Sequence, residues 1–555
     1  MTFIDWVVLF GWLILLVTYG LWRGRGSDTA NQFLLAGKTM PWYAMGLSIM
    51  ATQASAITFI STTAQAYTDG MRFVQFYFGL PLAMVILTAT AVPIFHRAKV
   101  YTAYEYLEKR FDAKTRSLVT AIFLIERGLG SGVALAAPAI VLSVILGWPF
   151  RVTTIVMGAL VILYTTTGGI KAVTWADVQQ MAVITASLIL ALVIAIAMLP
   201  ADISFLDAVR IAGAAGRLNV VTPHFDLNDR YTLWTGLIGA TFLFLAYFGT
   251  DQSQVQRFLT GRSIGQSRLS LLFNAVAKVP MQFFILFIGA MVFVFFIFVR
   301  PPLVFQPLQQ KQLESRAEYP ALQARFNQAF EHRQSAARSI LKSQDRPAAV
   351  AEFRAAQNEF DAAHDAAIKV TGEKDTNYIF LSFVTTYLPR GIVGLILGVI
   401  FTAAMSAISG EINSLATVTV IDIYRRHFRP DANDRQTVFA SRVATVFWGA
   451  YAIAFSSLFG QGFGTLIEAV NQVGSYFYGS MLGVFFIAFF VKRVGGTEVF
   501  IGALAGELAI LAVSRFTSIA YLWYNVVGAL AVIAVAVPMS FAKKGGGPPG
   551  PRAIP

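Results

Sequence analysis

Residues 46–58, Gly-Leu-Ser-Ile-Met-Ala-Thr-Gln-Ala-Ser-Ala-Ile-Thr, sit in the middle of an apolar run at 41–67 that is long enough to cross a membrane. A spanning helix needs roughly 20 largely apolar residues, and this one turns small and hydroxyl-rich where the bilayer is driest. Ala51, Ala54 and Ala56 cannot crowd an unwound turn, and Ser48, Thr52, Ser55 and Thr58 can satisfy the backbone groups that unwinding frees. Carbonyls exposed in a discontinuous helix are what a desolvated alkali ion needs. The alternative reading is close helix packing through small residues.

Two further segments read as interruptions. In 401–417 (FTAAMSAISGEINSLAT), Ala403, Ser406, Ser409, Gly410 and Asn413 recur every three or four residues and share one helix face. That face suits a hard cation or interhelical hydrogen bonding. Glu411 points about a quarter turn away, which favours a structural or solvated role. In 164–177 (YTTTGGIKAVTWAD) a Gly-Gly turn joins two helices on the inner side, and Asp177 opens the second one, either as an N-cap carboxylate or as a cation ligand.

The whole composition agrees with a membrane reading. Of 555 residues, 56% are hydrophobic and 13% charged, against about 45–50% and about 25% in soluble domains. The absence of cysteine excludes a disulfide scaffold, a cysteine–zinc site and thiol catalysis. Apolar runs near 4–22, 41–67, 75–95, 116–146, 150–167, 177–199, 233–249, 270–299, 391–424, 435–458, 463–492, 496–516 and 519–541 give an all-α polytopic membrane protein with about 13 transmembrane helices. Arg23 and Arg25 follow the first run instead of preceding it, so it is not read as a cleaved signal peptide. With the N-terminus outside and the C-terminus cytoplasmic, about 23 Lys and Arg fall in inner loops and about six in short outer ones. The excess charge of +13 is therefore read as topology, not as a nucleic-acid surface.

Residues 301–375 break the pattern: they are polar, charge-balanced and helical in periodicity, and are expected as a hairpin on the outer face. The alternative for this stretch is a contact surface for another protein. The expected division is 1–40 (extra helix and inner loop), 41–232 and 233–492 (two halves of five helices, the second carrying the 301–375 insertion), 493–541 (two C-terminal helices) and 542–555 (a flexible cytoplasmic tail). A repeat with an odd number of spans must reappear upside down, the inverted-repeat plan of secondary transporters.

Two cations lie deep in apolar runs, Arg127 in AIFLIERGLGSGVAL and Lys278 in LLFNAVAKVPMQF. A charge at the bilayer centre costs on the order of 2.5–3.5 kcal/mol on insertion scales, so each needs a partner or a task. Arg127 either meets a carboxylate on a solute through its bidentate edge or pairs with Glu126 or another helix. For Lys278 the alternative to a solute contact is packing or snorkelling.

The stretches YTTTGGIKAVTWAD (164–177), YFGTDQSQVQRFL (247–259), AAMSAISGEINSLATVTVIDIY (403–424) and VNQVGSYFYG (470–479), in this order, resemble the sodium/solute symporter family. ASAITFI (54–60) is similar to its iodide, monocarboxylate and multivitamin branch. The resemblance implies Na+ as coupling ion, held by the carbonyls of Ala51, Ala54 and Ala403 and the hydroxyl of Ser406. It also implies a further sodium-binding role for Asp177 and Ser409, although Gly410 stands where another serine would help. Many members carry a second Ser or Thr where this chain has Ala407, a loss that weakens sodium binding unless water or Thr402 compensates. The implied solute pocket is lined by Thr58, Tyr77, Arg127, Tyr247, Lys278 and Asn471, and Thr58, Tyr77, Leu80 and Gly130 align with sugar-binding positions without supplying sugar partners. A pocket poor in polar partners argues against a sugar. The expected function is symport of a small organic solute, most simply a monocarboxylate or similar anion, in the inner (plasma) membrane. Alternatives are a proton-coupled or sodium-independent carrier of the same fold, or a sugar or amino-acid symporter. A sensor is more remote and should carry a signalling domain after residue 541. No P-loop or catalytic carboxylate pair is visible, so no enzyme is expected.

Overall fold

The computed structural model describes residues 1–555 except 25–28, 30, 31, 33, 34, 373, 460–464 and 543–555; of residues 17, 20, 21, 23, 24, 164, 167–169 and 172 only the backbone is described. The Gly-Pro tail and its basic residues therefore lie outside the described part. The described chain is helical throughout, with a single isolated bridge between Met40 and Gly261. Among the described residues, eight helices are long and apolar enough to cross a membrane, nine if the pair Leu466–Ser475 and Tyr478–Phe490, bent by 45°, is one span. Three shorter apolar helices cover Phe3–Leu16, Phe150–Leu163 and Thr235–Gly249. The expected thirteen full-length spans are not reproduced by length, because several runs are broken into shorter helices.

The first break falls inside 46–58. Helix Trp42–Gln53 ends with Ala54 at φ −92°, ψ 51°, and the chain resumes as a widened turn at Thr58–Thr62 followed by Thr63–Asp69. Hydroxyls take over the lost ladder: Thr52 Oγ1 donates to Ser48 O at 2.9 Å and Thr58 Oγ1 to Gln53 O at 2.6 Å. The outer half is held against helix Ile264–Phe298 at Gly289, where a Cβ would strike Thr63 O and lie 2.8 Å from Ala66 Cβ.

The second expected interruption is corrected: Ile392–Val418 is one unbroken helix, widening only beyond it at Thr419–Phe428. Its polar residues do not open it. Thr402, Ser414 and Thr417 donate to Val399 O, Glu411 O and Asn413 O of the helix's own backbone, and no proline intervenes. Its N-terminus is capped from elsewhere, since Asp5 Oδ1 accepts from Gly391 N–H at 2.6 Å.

Phe150–Ala197 is one helical segment, and its first limb, Phe150–Leu163, and its second, Val173–Ala197, pack against different neighbours. Gly158 and Ile162 lie against Ile453 and Gly449, whereas Gln180 donates to Thr402 O at 2.9 Å and Ser187 sits beside Ile396 and Val399. The Gly168-Gly169 turn expected here lies outside the residues described in full. Asp177 does not open a helix as expected; it lies inside the helical segment Phe150–Ala197.

The 301–375 insertion is a helical hairpin, Tyr319–Lys342 and Arg346–Thr371, with its own small core of Leu313, Phe326, Phe330 and Phe360. It sits on the face that carries the 198–232 loop, tied by Arg338–Asp202 (3.1 Å) and Arg354 Nε to Ala214 O (3.3 Å). Arg333, fully buried, lies 3.5 Å over the Phe360 ring and donates to Phe296 O. His364 faces acceptors on both ring nitrogens, Leu303 O at 3.0 Å and Asp375 at 3.3 Å. Burial pulls its pKa down, but Asp375 and the carbonyl outweigh burial and leave the imidazolium favoured above the ordinary 6.5.

Two outcomes follow. Gly289→Leu should lower the thermal midpoint of purified protein by several degrees, since overpacking against backbone costs about 1–3 kcal/mol, while Gly213→Ala, in open space on helix Phe205–Ala214, changes it far less. The His364 contribution is complete below about pH 6.5 and is lost as pH rises through the raised folded value. Limited proteolysis should therefore nick the hairpin faster at pH 8 than at pH 6, and His364→Gln should abolish that difference.

Candidate functional site

Breaking the helix at Ala54 leaves carbonyls without partners. The Ala54 N–H closes the last turn onto Met50 O at 2.9 Å, so Ala51 O has no helical donor. Thr58 N–H bonds Ser55 O instead of Ala54 O, which frees Ala54 O as well. Both carbonyls belong to buried residues, as does Ala403 on the unbroken helix opposite.

Between these helices lies Asp177, 1% exposed. Ser48 donates to its Oδ2 at 2.5 Å and Ser406 donates to its Oδ1. One carboxylate thus joins the broken helix, the limb Val173–Ala197 and the helix Ile392–Val418. Ser48 was not among the expected ligands, and Ser409 does not reach Asp177: its hydroxyl is buried without a partner. Gly410 has a steric reason, since a Cβ there would run into Arg257 Nη2 and lie 3.3 Å from Cζ and Nη1. Thr402 gives no compensation for Ala407, because its hydroxyl donates to Val399 O and accepts from Trp12 at 3.2 Å.

Above the break is a cavity of about 80 Å³. Its walls bring together Tyr77, Arg127, Tyr247 and Asn471 of the expected residues, with Gln53, Ser55, Phe76, Phe244, Ala407 and Tyr478. Three expectations are corrected. Thr58 does not line it, its hydroxyl being committed to Gln53 O. Lys278 does not line it either; its Nζ is fully buried 5.6 Å from the centre of the Tyr77 ring, which screens it from the cavity. For Glu411, read as structural or solvated, only the solvated role is overturned: it is buried in the wall and paired with Arg127 at 3.2 Å.

Arg127 follows the pairing alternative. Its guanidinium meets Asp251, Glu411 at 3.2 Å, Glu126 at 3.4 Å and the Tyr478 hydroxyl at 2.6 Å, and lies 5.6 Å over the Tyr247 ring. Asp251 was missed as a partner because its sequence position, before Gln252–Leu259, reads as an ordinary helix cap; it does also accept from Ser253 N–H at 2.8 Å.

A broken helix facing an intact one across a buried carboxylate is the expected architecture of an ion-coupled carrier, and comparison with known proteins bears on it directly. The model of the Sodium:solute symporter family matches residues 33–312 and 350–508. The chain belongs to that family. Sodium-coupled monocarboxylate transporter 1 of Homo sapiens is 27% identical over 93% of this chain and 73% of its own length. The sodium/sialic acid symporter of Proteus mirabilis is 26% identical over 96% and 93%, and the Homo sapiens sodium/iodide cotransporter 27% over 91% and 68%. A solved Na+-coupled sialic acid symporter in a substrate-bound, outward-open state superposes with a TM-score of 0.75 at 25% identity, covering 99% of both chains. The internal stretch without a family match, 313–349, contains the first hairpin helix, Tyr319–Lys342. This symporter is a multi-pass membrane protein that moves a small solute together with Na+; it is not an enzyme.

If Asp177 and the Ala54 break serve that ion, Asp177→Asn should raise the half-saturating Na+ concentration for stabilisation of purified protein at least tenfold. Ala407→Ser, which restores an oxygen on the wall between break and cavity, should lower it. Sodium titrations of the thermal midpoint at constant ionic strength measure both; no change in either variant counts against this site.

Proposed function

We propose that this symporter imports a small monocarboxylate, or an anion of similar size, by alternating access. The observation that carries the reading is the cavity itself: about 80 Å³, walled by the rings of Phe76, Tyr77, Phe244, Tyr247 and Tyr478, far below the roughly 300–1,000 Å³ of drug-sized ligand sites. Its small size, not a lack of polar partners, disfavours a sugar, since Gln53, Ser55, Glu126, Glu411 and Asn471 also line it. Relatives named for monocarboxylate and for iodide support the same class. Asn471 Nδ2 has no hydrogen-bond partner among the described residues and lines the wall; it receives the carboxylate, and Tyr247 closes the inner side.

Sodium is held by the carbonyls of Ala51, Ala54 and Ala403 with Ser406 and Asp177, and stabilises the outward-open form. The two five-helix halves, 41–232 and 233–492, rock about this site with the N-terminus outside and the C-terminus cytoplasmic. The membrane potential contributes about 2.3 kcal/mol per charge per 100 mV.

A second reading rests on one observation. Glu126 Oε2 and Glu411 Oε2 accept no hydrogen bond although both residues line the cavity, so an ammonium group beside the solute's carboxylate would find acceptors there. Thermal shift with lactate, pyruvate, proline and galactose, each with and without NaCl, separates the cases. Stabilisation by lactate or pyruvate only in sodium is the expected result. Stabilisation by proline alone selects the second reading, and by galactose overturns both.

A further inference from the structure

The segment Gln252–Leu259 carries a cation that the solute cavity does not use. Arg257 is 2% exposed. Its Nη1 donates to Ser253 O, whereas Nε and Nη2 have no hydrogen-bond partner among the described residues. Those two N–H groups form the edge of a guanidinium that pairs a carboxylate side-on. Nη2 is pressed into the notch left by the missing side chain of Gly410, beside the unpartnered Ser409 hydroxyl.

Two acids act on Arg257 through their charge, Asp177 and Glu411. Glu411 is already held by Arg127. Asp177 is met only by the neutral hydroxyls of Ser48 and Ser406. Asp177 and Arg257 are thus a buried anion and a buried cation that act on each other through their charge, neither with a charged hydrogen-bond partner among the described residues. Leaving either so is costly in a low-dielectric interior. When sodium is bound, it neutralises Asp177; when it departs, something else must.

We propose that Arg257 is the internal counter-charge that Asp177 exchanges for sodium: its guanidinium turns onto the Asp177 carboxylate when the ion leaves and is displaced when the ion binds. Arg257 is then a positioning residue that lowers sodium affinity enough for release and stabilises the empty carrier on its return. This rests on the reading of Asp177 as a sodium ligand. The glycine at 410 follows from it, because a side chain there would occupy the space the guanidinium needs.

The test needs no identified solute. Full-length protein is titrated with NaCl against choline chloride at constant ionic strength, and the half-saturating sodium concentration is read from the thermal midpoint. Arg257→Gln should lower that concentration about tenfold, and Arg257→Lys, which keeps the charge, should stay near wild type. Gly410→Ala, which pushes the guanidinium away, should move in the direction of Arg257→Gln and serves if the glutamine variant does not fold. A merely structural arginine would lower the midpoint without moving the sodium concentration. Unchanged or weaker sodium binding in Arg257→Gln overturns the exchange, as does an Arg257→Lys variant that behaves like the glutamine. An Asp177→Asn variant that titrates like wild type overturns the sodium reading of Asp177 itself, and the exchange with it.

Discussion

An ionised carboxylate cannot be left bare in hydrocarbon, and the placement of Asp177 makes that constraint structural. Three separate segments converge on it: the broken helix through Ser48, the limb Val173–Ala197 that bears it, and the intact helix through Ser406. Hydroxyls are weak partners for a buried anion, so the arrangement is incomplete without a cation. A polar knot that is only partly satisfied in one state and fully satisfied in another is a natural place to couple ion binding to helix position.

Around this knot the charges sort into layers. On the side of the hairpin, Arg72 joins Asp69 (2.9 Å) and Asp229 (3.1 Å), and Arg230 joins Glu468 (3.0 Å). On the opposite side, Arg116 joins Asp422 (2.6 Å) and Glu108 (2.7 Å), and Arg426 also holds Glu108. Arg230–Glu468 ties the loop before Thr235–Gly239 to helix Leu466–Ser475, and Arg116–Asp422 ties helix Ala113–Leu146 to Thr419–Phe428. Arg127, with its three acids, lies between the layers and anchors the cavity wall.

Much of the architecture could be read from residue patterns. Small and hydroxyl residues at 46–58 correctly marked a break, because their side chains both permit and repair an unwound turn. The same vocabulary at 401–417 misled. There the hydroxyls bond backwards within their own helix, a local competition that spacing cannot reveal. Asp177 was found through its motif, but its serine partner on the broken helix depends on how the limbs pack. Asp251 and Arg257 stayed hidden for a similar reason: in sequence they look like a cap and a soluble-loop arginine, and only tertiary contact puts them in the dry interior. Thr58 lies within a turn of Ser55 and Ile57, which do line the cavity, whereas no residue of Ile264–Phe298 does, so Lys278 is kept out by where its whole helix packs, behind Tyr77.

The hairpin over the 198–232 loop encloses a vestibule of about 730 Å³ with Asp69, Arg72, Arg217, Asp229 and Glu468 in its walls and Phe326, Phe360 and His364 contributed by the hairpin itself. Free small molecules can wander through such an antechamber, but the same groups displayed on a polymer, a particle or an antibody are stopped at the eaves. Reagents meant to reach these walls must therefore be small enough to pass beneath the canopy.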